Sequence, residues 1–296
     1  MSEHCGLVAI VGRANVGKST LLNTVLGQKL SITSRKPQTT RYQLLGVHTV
    51  GTTQFVFVDT PGWQRSPRNR LNRLMNRQVN QAIRDVDCIV MLCDARGWTA
   101  DDELVSRMVA QTGLPALLVL NKHDMLKRKE QLLPEIERLA ASESHFAEFL
   151  PLCARTGSGI DHLLDALARR MPERPHMFPP DQITDRSERF LAGEIVREKT
   201  MRYLGDELPY RTSVVIDDFT DEERLTRIIA TVWVERDSQK PIVIGKAGEL
   251  MKKIASDARR DLEQLLGRKV FLTVWVKTKR GWTDNAEALQ AIGLGD

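Results

Sequence analysis

Eight residues near the start of the chain have the spacing of a phosphate-binding loop. The segment Gly12–Ser19 reads GRANVGKS, which fits G-x-x-x-x-G-K-S, and it directly follows the apolar run Leu7–Val11. A buried strand that enters a glycine-rich turn and then a helix directs several backbone N–H groups at one point, where nucleotide phosphates bind. Lys18 would reach the β- and γ-phosphates, and Ser19 would supply a hydroxyl to Mg²⁺. The other residues of this candidate phosphate site are Gly12, Arg13, Ala14, Asn15, Val16, Gly17 and Thr20.

A second motif selects the base. The tetrapeptide Asn121-Lys122-His123-Asp124 follows the apolar run Leu117–Leu120, so we expect it at the carboxyl end of a parallel strand, where open α/β sheets bind ligands. Asp124 can accept hydrogen bonds from guanine N1–H and from the exocyclic amine. Adenine would leave that carboxylate unpaired, at a cost of about 1–3 kcal/mol. A solvated turn at a helix start is the alternative, but the order of the two motifs favours guanine recognition.

A third motif indicates a switch. The residues Asp59, Thr60, Pro61 and Gly62 end the apolar run Phe55–Val58. Asp59 would hold Mg²⁺ through a water molecule. The Gly62 N–H, which no side chain shields, would contact the γ-phosphate and release it after hydrolysis. Asp-x-Pro-Gly is also a common type I turn, and the two interpretations are compatible.

The polar stretch between residues 31 and 41 is the candidate for the other switch. It contains Thr39 and Thr40, and a threonine hydroxyl here can complete the Mg²⁺ shell when the γ-phosphate is present. We favour Thr40 over Thr39 for this role. An ordinary loop threonine is the alternative.

The residue after Gly62 leaves open which group orients the attacking water during hydrolysis. Many regulatory GTPases have a glutamine there, which orients the attacking water, but this chain has Trp63. An indole cannot orient the water, so backbone groups, Mg²⁺-linked groups or an added group must do so. Asn15 is a candidate ligand for a monovalent cation such as K⁺ bridging the phosphates, and an amide that merely stabilises the loop is the equal alternative.

Taken with the segment Pro37–Arg41, these motifs resemble the Era family of bacterial ribosome-assembly GTPases over nearly the whole chain. The chain departs from the family at Ala14, where proline is usual, and at Trp63, where leucine is usual. It also has Cys153 where serine is usual. The resemblance implies GTP and GDP as ligands, Mg²⁺ as cofactor and a guanine O6 contact from the backbone N–H of Ala154. A backbone donor is unaffected by the change from serine to cysteine beside it.

Composition limits the class of protein. The chain has 296 residues, of which 42% are hydrophobic and 27% charged, which suits two globular domains. No apolar run reaches the length of about 18 residues that spans a bilayer. The phosphate loop begins within a dozen positions of residue 1, so we expect no signal peptide. The four cysteines show no C-x-x-C spacing and are typical of reduced thiols in a cytoplasmic protein.

The pattern of elements changes once along the chain. Strands and helices alternate up to Arg170, which predicts an α/β P-loop GTPase domain with a mostly parallel, doubly wound sheet over 1–172. A proline-rich linker follows at 173–185, where helix is excluded. The order of elements over 186–296 then resembles an α+β type II KH domain, an RNA-binding fold, with a C-terminal tail.

The segment Gly245-Lys246-Ala247-Gly248 is the candidate RNA-binding loop. It is predicted to follow a strand at 241–244 and to open a helix in which Leu250, Ile254, Ala258, Leu262 and Leu265 face the sheet. A tight helix entry is the alternative. In KH domains this loop clamps about four nucleotides of single-stranded RNA by their backbone. The candidate RNA-binding residues are Ile244, Gly245, Lys246, Ala247, Gly248, Lys252 and Lys253.

Charge distribution supports RNA as the partner. Residues 240–280 contain eleven Lys and Arg against four Asp and Glu, whereas residues 181–239 contain nine against fourteen. A solvated basic face is the alternative. A second basic stretch, 65–84, has six arginines and no acid and overlaps the switch, where RNA or domain docking could sense the nucleotide.

Three functions are compatible with these patterns. The leading one is a GTP-driven switch that alters how two domains lie against each other and so governs RNA binding. By the resemblance, the RNA is the 3′ end of 16S ribosomal RNA and the process is assembly of the 30S subunit. The second is a constitutive RNA-binding module with a nucleotide-stabilised scaffold. The third is a peripheral GTPase at the inner face of the membrane, bound through basic segments. We expect a monomer.

Overall fold

The computed structural model describes the chain apart from nine residues and one further side chain, that of Lys129. The nine are Met1, Arg35, Pro37, Gln38, Ser66, Arg68, Asp206, Gly295 and Asp296. Part of the predicted switch motif (Pro37 and Gln38) and Arg68 of the basic stretch therefore lie outside the described residues. The chain divides into two compact units. The first comprises Met1–Ser31, Thr40–Pro67 and Met75–Asp185, and the second comprises Ile32–Thr39, Arg68–Leu74 and Arg186–Asp296.

The first unit is a doubly wound α/β fold. Its described strands are β1 (His4–Val11), β2 (Leu44–Val50), β3 (Thr53–Asp59), β4 (Cys88–Asp94), β5 (Ala116–Asn121) and β6 (Glu148–Leu152). Its helices are α1 (Lys18–Leu26), α2 (Arg70–Ala82, whose first turn belongs to the second unit), α3 (Ala100–Ala110), α4 (Leu132–Ser142) and α5 (Ile160–Ala168). The strand order is β2-β3-β1-β4-β5-β6, and every pair is parallel except β2 with β3. This arrangement confirms the predicted GTPase-type sheet.

Burial on both faces explains the apolar composition of the central strands. Every residue of β4 and of β5 is buried, as expected for parallel strands covered by helices on both sides. A polar residue ends each of three such strands, namely Asp59, Asp94 and Asn121. Because carboxyl ends of parallel strands meet at one edge of a sheet, these three side chains lie at the same edge.

Helix α2 was not predicted, because the six arginines of residues 65–84 obscure the apolar spacing of its buried face. Leu71, Met75 and Val79 are spaced four residues apart and are all buried. Arg73 and Arg77 lie between them and are exposed. The stretch is therefore an amphipathic helix with a basic outer face.

The second unit is an α+β fold around one three-stranded sheet in its described part. Its elements are α6 (Glu188–Tyr203), β7 (Thr212–Glu222), β8 (Leu225–Val234), α7 (Lys240–Ile244), α8 (Glu249–Leu266), β9 (Val270–Thr278) and α9 (Ala286–Ala291). The strand order is β7-β8-β9, with β7 antiparallel and β9 parallel to β8. Ala258 and Leu262 of α8 are fully buried in the apolar core that covers this sheet, and Ile254 is fully buried too, which confirms the predicted spacing. Helix α9 lies in the segment that was predicted only as a tail.

The strand predicted at 241–244 is wrong, because these residues form the end of helix α7. A short apolar run does not distinguish strand from helix by itself. Pro241 lies in the first turn, where its fixed φ favours a helix start. The order predicted for the whole unit by its resemblance to a type II KH domain, namely helix, two strands, helix, G-x-x-G loop, helix and strand, has a helix at this place and is confirmed.

The proline-rich segment after α5 is held by the first unit. The Gln54 amide, fully buried, accepts hydrogen bonds from the N–H groups of Met177 (2.9 Å) and Phe178 (3.0 Å) and donates to the carbonyl of Phe178 (2.8 Å). The Val47 N–H donates to the carbonyl of Ile183 at 2.8 Å. The chain therefore crosses β2 and β3 in a fixed, non-helical path before it reaches the second unit.

Candidate functional site

The phosphate-binding loop is shaped by two glycines and closed by a lysine. Gly12 and Gly17 have φ values of 145° and 108°. A Cβ at Gly12 would lie 2.4 Å from the Leu92 carbonyl oxygen, so only glycine fits. The Lys18 ammonium is buried and donates to the carbonyls of Gly12 (2.9 Å) and Arg13 (3.0 Å). Burial lowers the pKa of Lys18 to about 8, partly opposed by the Asp59 carboxylate.

Four oxygen-bearing side chains meet beside Lys18. The Ser19 hydroxyl lies 2.7 Å from the Thr40 hydroxyl and donates to Asp59 Oδ2 at 3.0 Å. Ser31 donates to the same oxygen at 2.8 Å. Burial raises the pKa of Asp59, and Oδ1 of this buried carboxylate has no hydrogen-bond partner among the described residues. A hard divalent cation prefers such oxygens, so this cluster fits Mg²⁺, held directly by hydroxyls or through water by the carboxylate.

The two candidate switch threonines have different surroundings. The Thr40 hydroxyl contacts Ser19, whereas the Thr39 hydroxyl donates to the Lys36 carbonyl at 2.7 Å. Thr39 belongs to the second compact unit and Thr40 to the first. Of the two threonines, only Thr40 joins the cluster formed by Ser19, Ser31 and Asp59.

Asp124 follows β5, and its ionised carboxylate contacts residues of the loop that follows β6. Its Oδ1 accepts from the Cys153 thiol at 3.0 Å and its Oδ2 accepts from Arg155 at 2.8 Å. These two hydrogen bonds lower the pKa of Asp124, the thiol contributing the most. The serine-to-cysteine difference thus preserves a donor to Asp124.

Asn121 joins the base-binding and phosphate-binding loops. Its buried amide donates to the Val16 carbonyl at 2.7 Å, and its amide oxygen accepts from the N–H groups of Lys122 (2.8 Å) and Ala154 (2.9 Å). Lys122 has a left-handed φ of 67° and its ammonium reaches the Asn15 carbonyl. His123 begins a single 3₁₀ turn, His123–Met125, that presents Asp124. Through these contacts the predicted residues from three loops form one site.

We expect Asn121→Ala to lower the free energy of unfolding of the GTPase unit by about 2–3 kcal/mol. The buried Val16 carbonyl, the buried Ala154 N–H and the partly buried Lys122 N–H would lose their partner, and each unsatisfied buried group is costly. Chemical denaturation without nucleotide measures the change. Asn80→Ala is the matched control, because Asn80 is exposed on α2 and alanine favours helix. Equal stability of the two variants would show that the Asn121 amide does not hold the loops together.

Several residues of the site were not found from the sequence. Asp94 pairs with Lys122 (3.0 Å) and Arg96 (2.7 Å). Burial disfavours its ionised form, but hydrogen bonds from Arg96 and Lys122 outweigh burial and hold the pKa of this carboxyl well below its usual range. Asp102 similarly pairs with Arg13 at 3.0 Å. Asp94 ends an apolar run, as Asp59 and Asn121 do. This shared position could have predicted that Asp94 lies at the site.

The residues of the switch motif at 59–62 pack closely against the phosphate loop. A Cβ at Gly62 would lie 3.0 Å from the Ala14 Cα, so the backbone approaches as closely as glycine allows. Trp63 forms a β-bridge with Arg13 and is partly buried against the apolar core of the first unit. The Thr60 hydroxyl donates to the Ile10 carbonyl at 2.8 Å, and Pro61 follows it. The indole is therefore a packing group.

The G-x-x-G loop of the second unit has a strained, exposed backbone. Gly245 and Gly248 have φ values of 78° and 79°, and Ala247 between them has a left-handed φ of 49°. A Cβ at Gly245 would lie 2.5 Å from the Leu250 Cβ, so α8 can start here only with glycine. Lys246 and Ala247 are exposed, and Ile244 is 38% exposed. On α8, Lys252 is exposed and the Lys253 ammonium lies 4.8 Å from the centre of the Tyr203 ring.

A phosphate-binding loop and an Asn-Lys-x-Asp motif at one edge of this sheet define a P-loop GTPase, followed by a KH domain. The chain belongs to the Era family of GTPases. It is 51% identical over 294 residues to GTPase Era of Pseudomonas aeruginosa, covering 99% of this chain and 96% of that protein. It is 49% identical over 291 residues to GTPase Era of Coxiella burnetii, covering 98% of each.

Family and structural comparisons agree with this assignment. Residues 7–122 match the family described as 50S ribosome-binding GTPase, and residues 207–283 match the KH domain. A crystal structure of Aquifex aeolicus Era bound to GDP and aluminium fluoride superposes with a TM-score of 0.96 at 36% identity, covering 99% of this chain and all of that one. A second structure, Era in complex with MgGDPNP and nucleotides 1506–1542 of 16S ribosomal RNA, gives the same values. No helix in the described part of the chain is long and apolar enough to cross a membrane.

Proposed function

We propose that this GTPase uses its nucleotide state to control binding of single-stranded RNA by its KH domain, at the 3′ end of 16S ribosomal RNA during 30S subunit assembly. The solved complex of Era with MgGDPNP and that RNA segment carries the proposal, because it covers 99% of this chain at a TM-score of 0.96. The reaction is hydrolysis of GTP to GDP and phosphate. The site of action is the cytoplasm.

The proposed nucleotide site uses the residues gathered at the sheet edge. Residues 12–20 bind the phosphates with backbone N–H groups and the Lys18 ammonium, and Asp124 reads the guanine edge. The Ala154 N–H, which donates to the Asn121 amide oxygen in this structure, is the donor that would turn to guanine O6. Ser19, Thr40 and Asp59 would hold Mg²⁺, which neutralises charge on the phosphates. The buried Asp59 Oδ1, for which the described part of the chain offers no hydrogen-bond partner, supports this assignment. Gly62 and Thr40 are the proposed γ-phosphate sensors of the two switches.

The proposed hydrolytic mechanism does not use the side chain after Gly62. Trp63 is packed against the core, and its indole N–H is only a donor, so it cannot accept a hydrogen bond from the attacking water as a glutamine amide oxygen can. Backbone groups of the switches and the cation-linked hydroxyls must then position the nucleophile. Slow intrinsic hydrolysis follows, because the positioning side chain of other GTPases is missing.

We expect GTP turnover to be faster in potassium than in matched sodium buffer, if the Asn15 side chain contributes to a cation site. Asn15 is placed in the loop with a left-handed φ of 64°. Asn15→Ala should remove the difference between the two salts while leaving GTP affinity measurable. Steady-state phosphate release at equal ionic strength measures it. Identical turnover in both salts, unchanged in the variant, would exclude the cation and leave Asn15 as a loop-stabilising amide.

The proposed RNA site is the G-x-x-G loop with its flanking residues. The Gly245 and Gly248 backbone can approach the sugar-phosphate chain, and Lys246 adds a positive charge at that contact. The alternative of membrane binding through the basic face of α8 has less support than RNA binding. The four basic side chains of α8 are Lys252, Lys253, Arg259 and Arg260. Arg259 pairs with Glu263 at 3.3 Å and Arg260 pairs with Asp257, so two of the four already have acidic partners. Vesicle sedimentation in competition with RNA tests this alternative directly.

Turnover and RNA affinity measured together test the switch. We expect RNA affinity to differ between the GDP-bound protein and the protein bound to a non-hydrolysable GTP analogue, and turnover to change when RNA is added. Thermodynamic linkage makes this effect reciprocal. If a nucleotide changes the affinity for RNA, then RNA changes the affinity for that nucleotide by the same factor. Equal RNA affinity in both nucleotide states would instead support a constitutive RNA-binding module with a nucleotide-stabilised scaffold.

A further inference from the structure

Two aromatic side chains on the edge strand of the KH sheet are unusually exposed. Trp275 is 57% exposed and Phe271 is 51% exposed, although both lie in strand β9. Neither belongs to the G-x-x-G loop or to α8. Large aromatic side chains are normally buried in such a strand, so this exposure is typical of a surface that binds a partner.

Alternation along β9 places both rings on the face of the sheet opposite the helices. Leu272, Val274 and Val276 pack against the apolar core of the second unit. Successive side chains of a strand point to opposite faces, so Phe271 and Trp275 project away from that core. Four residues of strand separate them by about 13 Å, too far for the rings to stack on each other. Each ring can therefore take a separate planar group.

Cationic side chains lie near Phe271 and near Trp233 on the neighbouring strand. The segment 268–280 contains five Lys and Arg and no Asp or Glu. The Arg227 guanidinium lies 5.1 Å from the Phe271 ring centre and also pairs with Glu222 at 2.9 Å. Register places Lys277 beside Trp233 of β8. The Lys279 ammonium in turn lies 5.8 Å from the Trp233 ring centre. Rings interleaved with positive charge fit bases and phosphates of single-stranded nucleic acid better than they fit a purely apolar partner.

The candidate RNA loop is joined to β9 through helix α7. Helix α7 packs against β9 and leads directly into Gly245. Its Ile242 is 57% exposed, so exposed apolar side chains occur on both α7 and β9. An RNA strand that leaves the loop can cross the outer edge of β9 and reach the outer face of the sheet.

We propose that Trp275 and Phe271 form a second RNA contact, on which bases beyond those held by the G-x-x-G loop stack. We call this the outer-face platform. The inference rests on the proposed RNA-binding function and adds to it a surface outside the groove. Base stacking on such rings is tolerant of sequence, so the platform would add affinity and length dependence more than sequence selectivity.

RNA length provides the test, because the loop accommodates about four nucleotides. We expect the wild type to bind a twelve-nucleotide single-stranded RNA more tightly than a four-nucleotide one drawn from the same sequence. Trp275→Ala should reduce affinity for the longer RNA at least about fivefold and leave affinity for the shorter RNA unchanged. Trp275→Tyr should restore most of the loss, whereas Trp275→Leu should not, because stacking needs an aromatic ring.

Control variants separate loss of stacking from loss of folding. Leu133→Ala removes a side chain that is 63% exposed on α4 of the GTPase unit, and it should bind both RNAs like the wild type. Thermal unfolding and guanine-nucleotide binding check that each variant is folded. Phe271→Ala provides an independent second variant with the same expected pattern.

Each contrary result has a distinct meaning. If neither RNA binds the wild type, the proposed RNA-binding function itself fails. If both bind but Trp275→Ala and Phe271→Ala lose nothing on the longer RNA, the platform is excluded and the KH loop is retained. If Trp275→Leu behaves like the wild type, or if Trp275→Ala converts a dimer into a monomer, the surface serves an apolar protein contact and the inference is overturned.

Discussion

Asp124→Asn should transfer the nucleotide preference from GTP to xanthosine triphosphate. The wild-type carboxylate can accept two hydrogen bonds from guanine N1–H and its amine, and hydrogen bonds to charged groups contribute about 1.5–3 kcal/mol each. Losing both would weaken GTP binding by about 10² to 10⁴-fold. Xanthine has a carbonyl where guanine has an amine, so the asparagine amide can donate to it. Competition binding of GTP, ATP and xanthosine triphosphate measures the change.

The surroundings of Asp124 make this variant interpretable. Cys153 and Arg155 donate to its two oxygens, so the side chain is oriented before a base arrives. Asp165→Asn removes a carboxylate from an exposed position on α5 and serves as the matched control, with GTP affinity expected to be unchanged. Equal competition by ATP and GTP against the wild type would refute guanine recognition altogether.

Replacing Lys246 and Ala247 together with aspartate should weaken RNA binding by about two orders of magnitude. The double variant changes the loop charge by three units at the point where phosphate would approach, and phosphate contacts dominate nucleic-acid affinity. Guanine-nucleotide binding should remain normal, because these residues lie in a different domain. Binding of single-stranded RNA at several salt concentrations measures both the loss and the reduced salt dependence.

A charge-matched control distinguishes a local effect from general repulsion. Arg128→Asp combined with Ala140→Asp changes the net charge equally at exposed positions of the GTPase unit. We expect only a small loss of RNA affinity in that variant. If the two double variants lose affinity equally, the G-x-x-G loop has no special role and is simply the entry into α8.

Short-range patterns were sufficient to predict much of the fold and the core of the site. The loop from Gly12 to Ser19 and the motif ending at Asp124 each depend on residues adjacent in sequence, and their chemistry follows from residue type. The i, i+4 spacing of Ile254, Ala258 and Leu262 likewise predicted the buried face of α8, which the structure confirms. In these cases the local sequence and the final packing favour the same conformation.

Prediction failed where one segment was compatible with two structures. Residues 241–244 are apolar and short, so their helix depends on Pro241 at its start and on packing against β9. Helix α2 was not predicted because its many arginines obscure a buried face that consists of Leu71, Met75 and Val79. Both elements acquire their stability from contacts that composition does not reveal.

By itself the sequence determined the class of protein, its two domains and the residue types that bind nucleotide. Only the tertiary structure decided which side chains support one another. Asn121 reaches Val16 and Ala154 across more than thirty positions in each direction, and Asp94 is ionised because Lys122 and Arg96 donate to it. Likewise, the exposure of Trp275 depends on which face of β9 the helices cover. Such relations join residues distant along the chain, so they are fixed only when the sheet edges and loops are brought together.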